Sequence, residues 1–142
     1  MKNKGFTLVE LLIVISVIGI LGGVSMQVIN VKSQRNRAED SIRLSNLEKL
    51  VSSIETYYAA EDKYPSNKND SVLANYVTHW PDGSPSGSTY SYATNADRSE
   101  FGLVVDLALT EDSYKYRSEW GEIKTCVNDD PRTSNCSRSS IN

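Results

Sequence analysis

Glu10 is the side chain whose position raises the first chemical question. It lies five residues after Gly5, near the start of an apolar run that extends from Phe6 to Ile29 and contains no other charged residue. A carboxylate at the centre of a membrane helix costs about 2.5–3.5 kcal/mol, and less near the helix end. A simple membrane anchor gains nothing from that cost, whereas a surface that later pairs with a cation does.

The apolar run is long enough to cross a bilayer, which takes about 20 residues in a helix. Lys2 and Lys4 precede it, as basic residues do in a secretory signal peptide. Signal peptides have a shorter apolar core that ends at a small-residue cleavage site, and no such pattern closes this run. We therefore expect the segment to be retained. On apolar length alone, a single-pass anchor is the simplest interpretation.

The composition argues against catalytic, metal-binding and nucleic-acid-binding functions. The chain of 142 residues has a net charge of −3, one histidine and two cysteines. Nothing in the sequence pairs His79 with a nucleophile, and phosphate-loop and zinc-protease motifs are absent from it. Nucleic acid is captured by a clustered basic face, which this balance does not favour. We expect no catalytic residue, no cofactor and no metal ion.

A helical pattern continues after the apolar run. The predicted apolar stripe has residues three or four positions apart: Leu44, Leu47, Val51, Ile54 and Tyr58. The opposite face would carry charged residues: Arg43, Glu48, Lys49 and Glu55. Glu39 is placed to pair with Arg43 one turn away. Because no proline precedes Pro65, one helix is permitted from Phe6 to about residue 60, with a length of roughly 80 Å.

Turn-forming residues dominate from Lys63 onward. The stretches KYPSNKND and WPDGSPSGS predict loops, and SVLANYV between them predicts one or two helical turns. Three alternating segments predict strands: STYSYAT, EFGLVVDLAL and YKYRSEWGEIKT. Their short connections favour an antiparallel meander, which would close a small core against the amphipathic helix. The tyrosines of these segments are interpreted as packing residues and not as a stacking platform for DNA.

The N-terminal sequence KGFTLVELLIVISVIGILGG resembles that of type IV pilins and of the related pseudopilins of type II secretion and DNA-uptake machines. The shared features are a basic leader ending in Gly5, the residues Phe6, Thr7 and Leu8, then Glu10 and the aliphatic run. The resemblance implies that prepilin peptidase cuts between Gly5 and Phe6 and methylates the new amino group. It also implies that Glu10 neutralises the amino-terminal charge of a neighbouring subunit. A buried carboxylate and a buried ammonium offset much of each other's desolvation, so assembly would relieve both.

The resemblance implies an α+β pilin fold in which a long helix packs on a small antiparallel meander. We expect a cleaved leader at 1–5, a helix at 6–62 with a transmembrane part at 6–29, and a head at 63–142. The implied partners are further copies in a helical filament, prepilin peptidase, the inner-membrane assembly platform with its ATPase, and lipid before assembly. The precursor would cross the inner membrane once, and the assembled pilus would be extracellular.

Gly19 and Gly23 form a small-xxx-small pair within the apolar run. Such pairs allow two membrane helices to approach closely. Glycine also weakens a helix by about 1 kcal/mol relative to alanine, so local melting is a second interpretation. Membrane helices also tolerate glycine without either role, and the sequence leaves these alternatives open.

Cys126 and Cys136 are expected to form a disulfide, because the head would lie in an oxidising compartment. A cysteine pair that closes a C-terminal loop resembles type IV pilins, whereas many major pseudopilins have a calcium site there. Asp129 and Asp130 lie within the loop but lack EF-hand spacing, so we interpret them as solvated residues.

The predicted function is therefore a structural pilin subunit. The first alternative is a major pseudopilin of a secretion or DNA-uptake system, and the disulfide favours the pilus over it. The second is a monomeric membrane-tethered binding protein, which leaves Glu10 unexplained.

Overall fold

The chain divides into two compact units, Met1–Gln34 and Arg35–Asn142. The structure is a computed structural model that describes residues 5–28, 30–127, 130–133 and 136, with the side chains of 24–28 excepted. The first unit contains helix α1, Leu8–Val28. Most of helix α2, Val31–Glu61, and all of the described sheet belong to the second unit.

In the described residues, helix α1 ends at Val28 and helix α2 begins at Val31, while Ile29 lies outside them. Asn30 caps the second: its Oδ1 accepts a hydrogen bond from the backbone N–H of Ser33 at 3.1 Å. Asparagine is a weak residue within a helix and a strong one at its N-cap, which explains a start at this position. Helix α1 is continuous across Gly19 and Gly23 in the single chain.

The second unit confirms the α+β class and the antiparallel meander. Four strands follow one another in the sheet: β1 (Tyr90–Thr94), β2 (Phe101–Asp106), β3 (Ser113–Arg117) and β4 (Ile123–Cys126). The third predicted strand is in fact β3 and β4. A turn separates them, in which Gly121 has a φ of +66°, a value that favours glycine. The predicted helical turn is a short 3₁₀ helix, Leu73–Asn75.

Helix α2 buries a face that is rotated from the predicted apolar stripe. Leu47 and Ile54 are buried as expected, whereas Leu44 and Val51 are half-buried and Tyr58 is exposed. The buried residues keep helical spacing: Asp40, Arg43, Leu47, Leu50, Ile54 and Tyr57. The predicted helix face was rotated from the buried one because the prediction considered only apolar residues. The buried face includes two charged residues at its start, Asp40 and Arg43.

Arg43, expected on the exposed face, is buried at one end of the sheet. Its Nη1 donates to the backbone oxygen of Asp106 at 2.7 Å. Asp40, one turn earlier, accepts hydrogen bonds from the backbone N–H groups of Ala108 at 2.6 Å and Leu109 at 3.2 Å. These backbone groups lie at and beyond the end of β2, where the ladder no longer supplies partners, so the two side chains satisfy them.

Two other acidic residues of α2 also have partners that the spacing did not predict. Glu39 forms an ion pair with Arg35 at 2.8 Å, so the expected pairing with Arg43 is wrong. Glu55, expected to face solvent, is half-buried and accepts hydrogen bonds from the hydroxyls of Tyr64 and Tyr116.

The core between α2 and the sheet is largely aromatic. Phe101 is its centre, with ring centroids 4.5 Å from Tyr64, 6.0 Å from Tyr92 and 5.3 Å from Tyr116. Leu103 is also fully buried against α2. Aromatic contacts of this kind stabilise a core beyond the area they bury, by about 0.5–1.5 kcal/mol per pair.

The outer face of the sheet is buried as well, where residues 130–133 of the C-terminal segment lie against it. Cys126 and Cys136 form the predicted disulfide, which closes this loop. Arg117 holds the loop through Nη1, which donates to the backbone oxygens of Pro131 at 3.3 Å and Arg132 at 2.9 Å. This covering explains why β2 is buried on both faces, an unusual condition for an antiparallel sheet at a protein surface.

Gly102 allows the loop to lie against the strand. A Cβ at this position would collide with the backbone oxygen of Pro131. Glycine within a strand often marks such a close approach of another backbone segment. A glycine inside the predicted strand EFGLVVDLAL was therefore a signal of close backbone packing, and the strand prediction did not use it.

We expect Gly102→Ala to destabilise the second unit by about 1–3 kcal/mol, the usual cost of overpacking. The melting temperature should fall by several degrees, because each kcal/mol is equivalent to roughly 4–8 °C in a domain of this size. Thermal unfolding followed by circular dichroism measures the change. Thr125→Ala, on the exposed side of β4, is the control and should leave the melting temperature nearly unchanged. Equal stability of both variants would show that the loop does not rest on Gly102.

Candidate functional site

Helix α1 begins with a reciprocal pair of hydrogen bonds between Thr7 and Glu10. The Thr7 hydroxyl accepts a hydrogen bond from the backbone N–H of Glu10 at 3.3 Å. The Glu10 Oε2 accepts hydrogen bonds from the backbone N–H of Thr7 at 3.5 Å and from its hydroxyl at 3.4 Å. Thr7 is thus the N-cap residue and Glu10 the third helical residue, which together form a capping box.

The capping box gives Glu10 a local role that the sequence analysis missed. Its signal is the spacing T-x-x-E immediately before an apolar run. A negative charge in the first turn also interacts favourably with the helix dipole, by about 0.3–1 kcal/mol at an exposed site. The side chain therefore has two separable properties, its shape as a cap and its charge.

The surface of α1 is apolar on all sides, and its large side chains are exposed. Leu8 is 80% exposed, Ile20 69% and Leu21 62%. A helix of this kind is normally buried in a membrane or among other helices. In the part of the chain that the structure describes, no helix meets the length and hydropathy needed to cross a membrane.

The glycines of this region have no steric purpose within the chain. A Cβ at Gly5, Gly19 or Gly23 would meet no atom within 4 Å. Among the described residues, steric crowding therefore gives no reason for glycine at these positions. That condition fits both a peptidase cleavage site at Gly5 and close packing of helices at Gly19 and Gly23.

Comparison with known proteins supports the interpretation of this N-terminal segment. Residues 1–26 match the family described as the prokaryotic N-terminal methylation motif. The chain is 30% identical over 95 residues to the type IV major pilin protein PilA of Myxococcus xanthus, a match that covers 67% of this chain and 38% of that protein. It is 35% identical over 72 residues to the type IV major pilin protein PilE1 of Neisseria gonorrhoeae, covering 51% and 42%. It is 42% identical over 69 residues to the type IV wide pilus major component PilA4 of Thermus thermophilus, covering 48% and 51%.

The motif and these relatives together support a type IV pilin family for this chain. The matched part spans between 38% and 51% of the length of these three relatives. The similarity is thus to part of each relative, and the family motif lies within residues 1–26.

The second unit contains one carboxylate that joins helix, loop and sheet. Glu55 on α2 accepts a hydrogen bond from the Tyr64 hydroxyl at 3.0 Å through Oε2 and from the Tyr116 hydroxyl at 3.0 Å through Oε1. Burial, reinforced by the hydrogen bond to Glu55 and its charge, raises the pKa of Tyr64 well above its usual range. The same causes raise the pKa of Tyr116 to about 12.

A second cluster fixes the loop between the 3₁₀ helix and β1 onto the sheet. The backbone N–H of Tyr90 donates to Asp82 Oδ1 at 2.8 Å, and its backbone oxygen accepts from Trp80 Nε1 at 3.1 Å. Asn46 on α2 donates to the Tyr90 hydroxyl at 3.2 Å. Because β1 is an edge strand, these contacts occupy backbone groups that would otherwise be free to pair with another chain.

The remaining candidate residues of the sequence are His79 and the two acidic residues of the C-terminal loop. His79 is exposed in a loop. Asp130 Oδ1 accepts a hydrogen bond from the backbone N–H of Arg132 at 2.9 Å, while Asp129 lies outside the described residues. No group of three metal-ligating side chains is found among the residues that the structure covers.

The raised tyrosine pKa values predict a loss of stability at alkaline pH. In the unfolded chain the phenols ionise near pH 10, whereas Tyr116 remains protonated in the folded protein to about pH 12. The stabilisation is therefore complete below pH 10 and is lost as the pH rises from 10 towards 12. Glu55→Gln removes the charge, so the Tyr116 pKa should fall towards 10 while burial keeps it above that value.

Site-resolved NMR of labelled tyrosine in the detergent-solubilised chain measures this titration. Glu61→Gln removes a charge from an exposed position of the same helix and should leave the Tyr116 titration unchanged. An unchanged midpoint in Glu55→Gln would show that Glu55 does not contact the tyrosine.

Proposed function

We propose that this chain is the structural subunit of a type IV pilus. The observation that carries the proposal is a helix that exposes large apolar side chains on all sides and has one carboxylate in its first turn. Such a surface is unstable in water and is buried either in lipid or among copies of itself. The methylation motif at 1–26 and the relatives named as major pilins support this assignment over an enzyme and over the pseudopilin alternative.

The proposed sequence of events begins with a precursor that is held in the inner membrane by residues 6–29. Prepilin peptidase cuts between Gly5 and Phe6 and methylates the amino group of Phe6. The assembly platform and its ATPase then transfer the subunit from lipid into an extracellular filament. The exposed Gly5, whose Cβ position is open, is consistent with access by a peptidase.

Within the filament, Glu10 is proposed to pair with the amino group of Phe6 on a neighbouring copy. Among the described residues, the hydrogen bonds of the capping box engage Oε2 of Glu10, so Oε1 can accept a second partner. The methylated amine remains cationic at neutral pH, as secondary amines do. Pairing would neutralise a buried charge on each of two subunits, so the gain appears only on assembly.

Three substitutions separate the capping role of Glu10 from the role of its charge. Glu10→Gln keeps the capping box, which accepts either residue, and removes the charge. Thr7→Ala removes the N-cap hydroxyl and keeps the charge, at a cost of about 1 kcal/mol to the helix. Glu10→Ala removes both. Filaments sheared from cells and quantified by immunoblot, with membrane fractions as the control for insertion, measure assembly.

We expect Glu10→Gln to lose filaments as fully as Glu10→Ala, with normal amounts of subunit in the membrane. Thr7→Ala should still assemble. If Glu10→Gln assembled normally while Glu10→Ala did not, the cap would be the function of this residue and the charge pairing would be refuted.

Processing is tested at Gly5. Gly5→Leu should leave a precursor that retains five additional residues, because the fold places no demand on this position and only the peptidase would reject the larger side chain. Intact-mass spectrometry of the membrane-extracted chain reads out both the leader and the methyl group. Normal cleavage of this variant would contradict the assignment of the cleavage site.

A further inference from the structure

The second unit has an open apolar groove between α2 and the β3–β4 hairpin. Its volume is about 460 Å³. Apolar side chains from both elements line it, with a carboxylate at each side: Leu44, Val51, Tyr116 and Ile123, with Glu48 and Glu122. Glu122 is 65% exposed and 3.2 Å from Lys124, and Glu48 is exposed. The rim of the groove is therefore acidic.

The adjoining exposed face of α2 has the complementary chemistry. Ile42 is 47% exposed and is the large aliphatic side chain of this face. Lys49 lies seven residues later, on the same helix face, and is exposed. This face of α2 thus presents an apolar side chain, Ile42, and a cation, Lys49, two helical turns apart.

The groove and this face cannot contact each other within one molecule. Glu48 and Lys49 are consecutive on α2, and consecutive helix positions point in different directions. The apolar and cationic face of one copy matches the apolar and acidic groove of another. In the described part of the chain, no ion pair within 4.0 Å is formed by Lys49.

We infer that the Ile42–Lys49 face of one subunit packs in the groove of a neighbouring subunit. Ile42 would fill the space bounded by Leu44 and Ile123, and Lys49 would pair with the acidic rim. The occupant is a second copy of this chain, and the inference rests on the proposed filament function. It adds a contact between the second units to the pairing at the N-terminus. Because the contact has opposite surfaces on its two sides, it can repeat from copy to copy without closing on itself.

Charge reversal tests the contact in cells that produce filaments from the full chain. Lys49→Glu should lower the amount of subunit in sheared filaments at least about tenfold, since like charges then face each other at every repeat. The triple variant Lys49→Glu, Glu48→Lys, Glu122→Lys restores opposite charges and should recover most of the yield. Lys63→Glu makes the same change of charge at an exposed position outside the groove lining and should assemble as the wild type does.

Ile42→Ser tests the apolar half. It removes an exposed side chain, so the melting temperature of the detergent-solubilised chain should stay the same while filament yield falls. The melting temperatures of all variants exclude a folding defect as the cause.

Wild-type yield in Lys49→Glu, or no recovery in the triple variant, would overturn the groove contact and leave the filament proposal standing. Absence of filaments from the wild-type chain under conditions that process its leader would instead overturn the proposed function itself.

Discussion

The structure depends first on a carboxylate placed in the first turn of a helix that is apolar on every side. The helix exposes large aliphatic side chains that water does not solvate well, and Glu10 is the one group of that segment that an apolar environment does not accept. Its own helix satisfies it in part, since Thr7 supplies two donors and the helix N-terminus supplies a favourable dipole. That local arrangement makes the charge tolerable without neutralising it. A cation from another molecule would complete the neutralisation, and the proposed filament supplies one.

In the second unit, a single helix packs against a four-stranded sheet. Apolar contact alone does not fix the rotation of α2. Polar contacts at both ends do so: Arg43 and Asp40 bind the backbone beyond β2, and Glu55 binds Tyr64 and Tyr116. On the other face, the disulfide-closed loop covers the sheet. The result is a helix with one face committed to the core and another face left exposed.

The sequence predicted the parts of this fold that follow from local pattern. The N-terminal motif, the meander and the disulfide were predicted correctly, because each has a signal within a short stretch of chain. The rotation of α2 was predicted wrongly, because Asp40 and Arg43 are buried for partners that lie more than 60 residues away. The covering of the outer sheet face was also missed, because it depends on contacts between residues that are far apart in the sequence. Gly102 is informative only when Pro131 is known to lie above it.

At the candidate site, too, local features could be predicted from the sequence and contacts with distant or separate partners could not. The capping box of Thr7 and Glu10 could be predicted from T-x-x-E spacing, although the family resemblance directed attention to the charge instead. The pairing of Glu10 with a neighbouring subunit cannot be seen in a single chain, whatever its sequence, because the partner is another copy. The groove at Leu44 and Ile123 likewise depended on the three-dimensional arrangement, since its two walls come from α2 and β4.

The most direct test of the central claim is a high-resolution structure of the assembled filament around Glu10. The account predicts that the Glu10 carboxylate lies within about 4 Å of the Phe6 nitrogen of a neighbouring subunit, the distance of an ion pair. A filament in which Glu10 contacts its own Thr7 alone, with each Phe6 amine bound elsewhere, would contradict it.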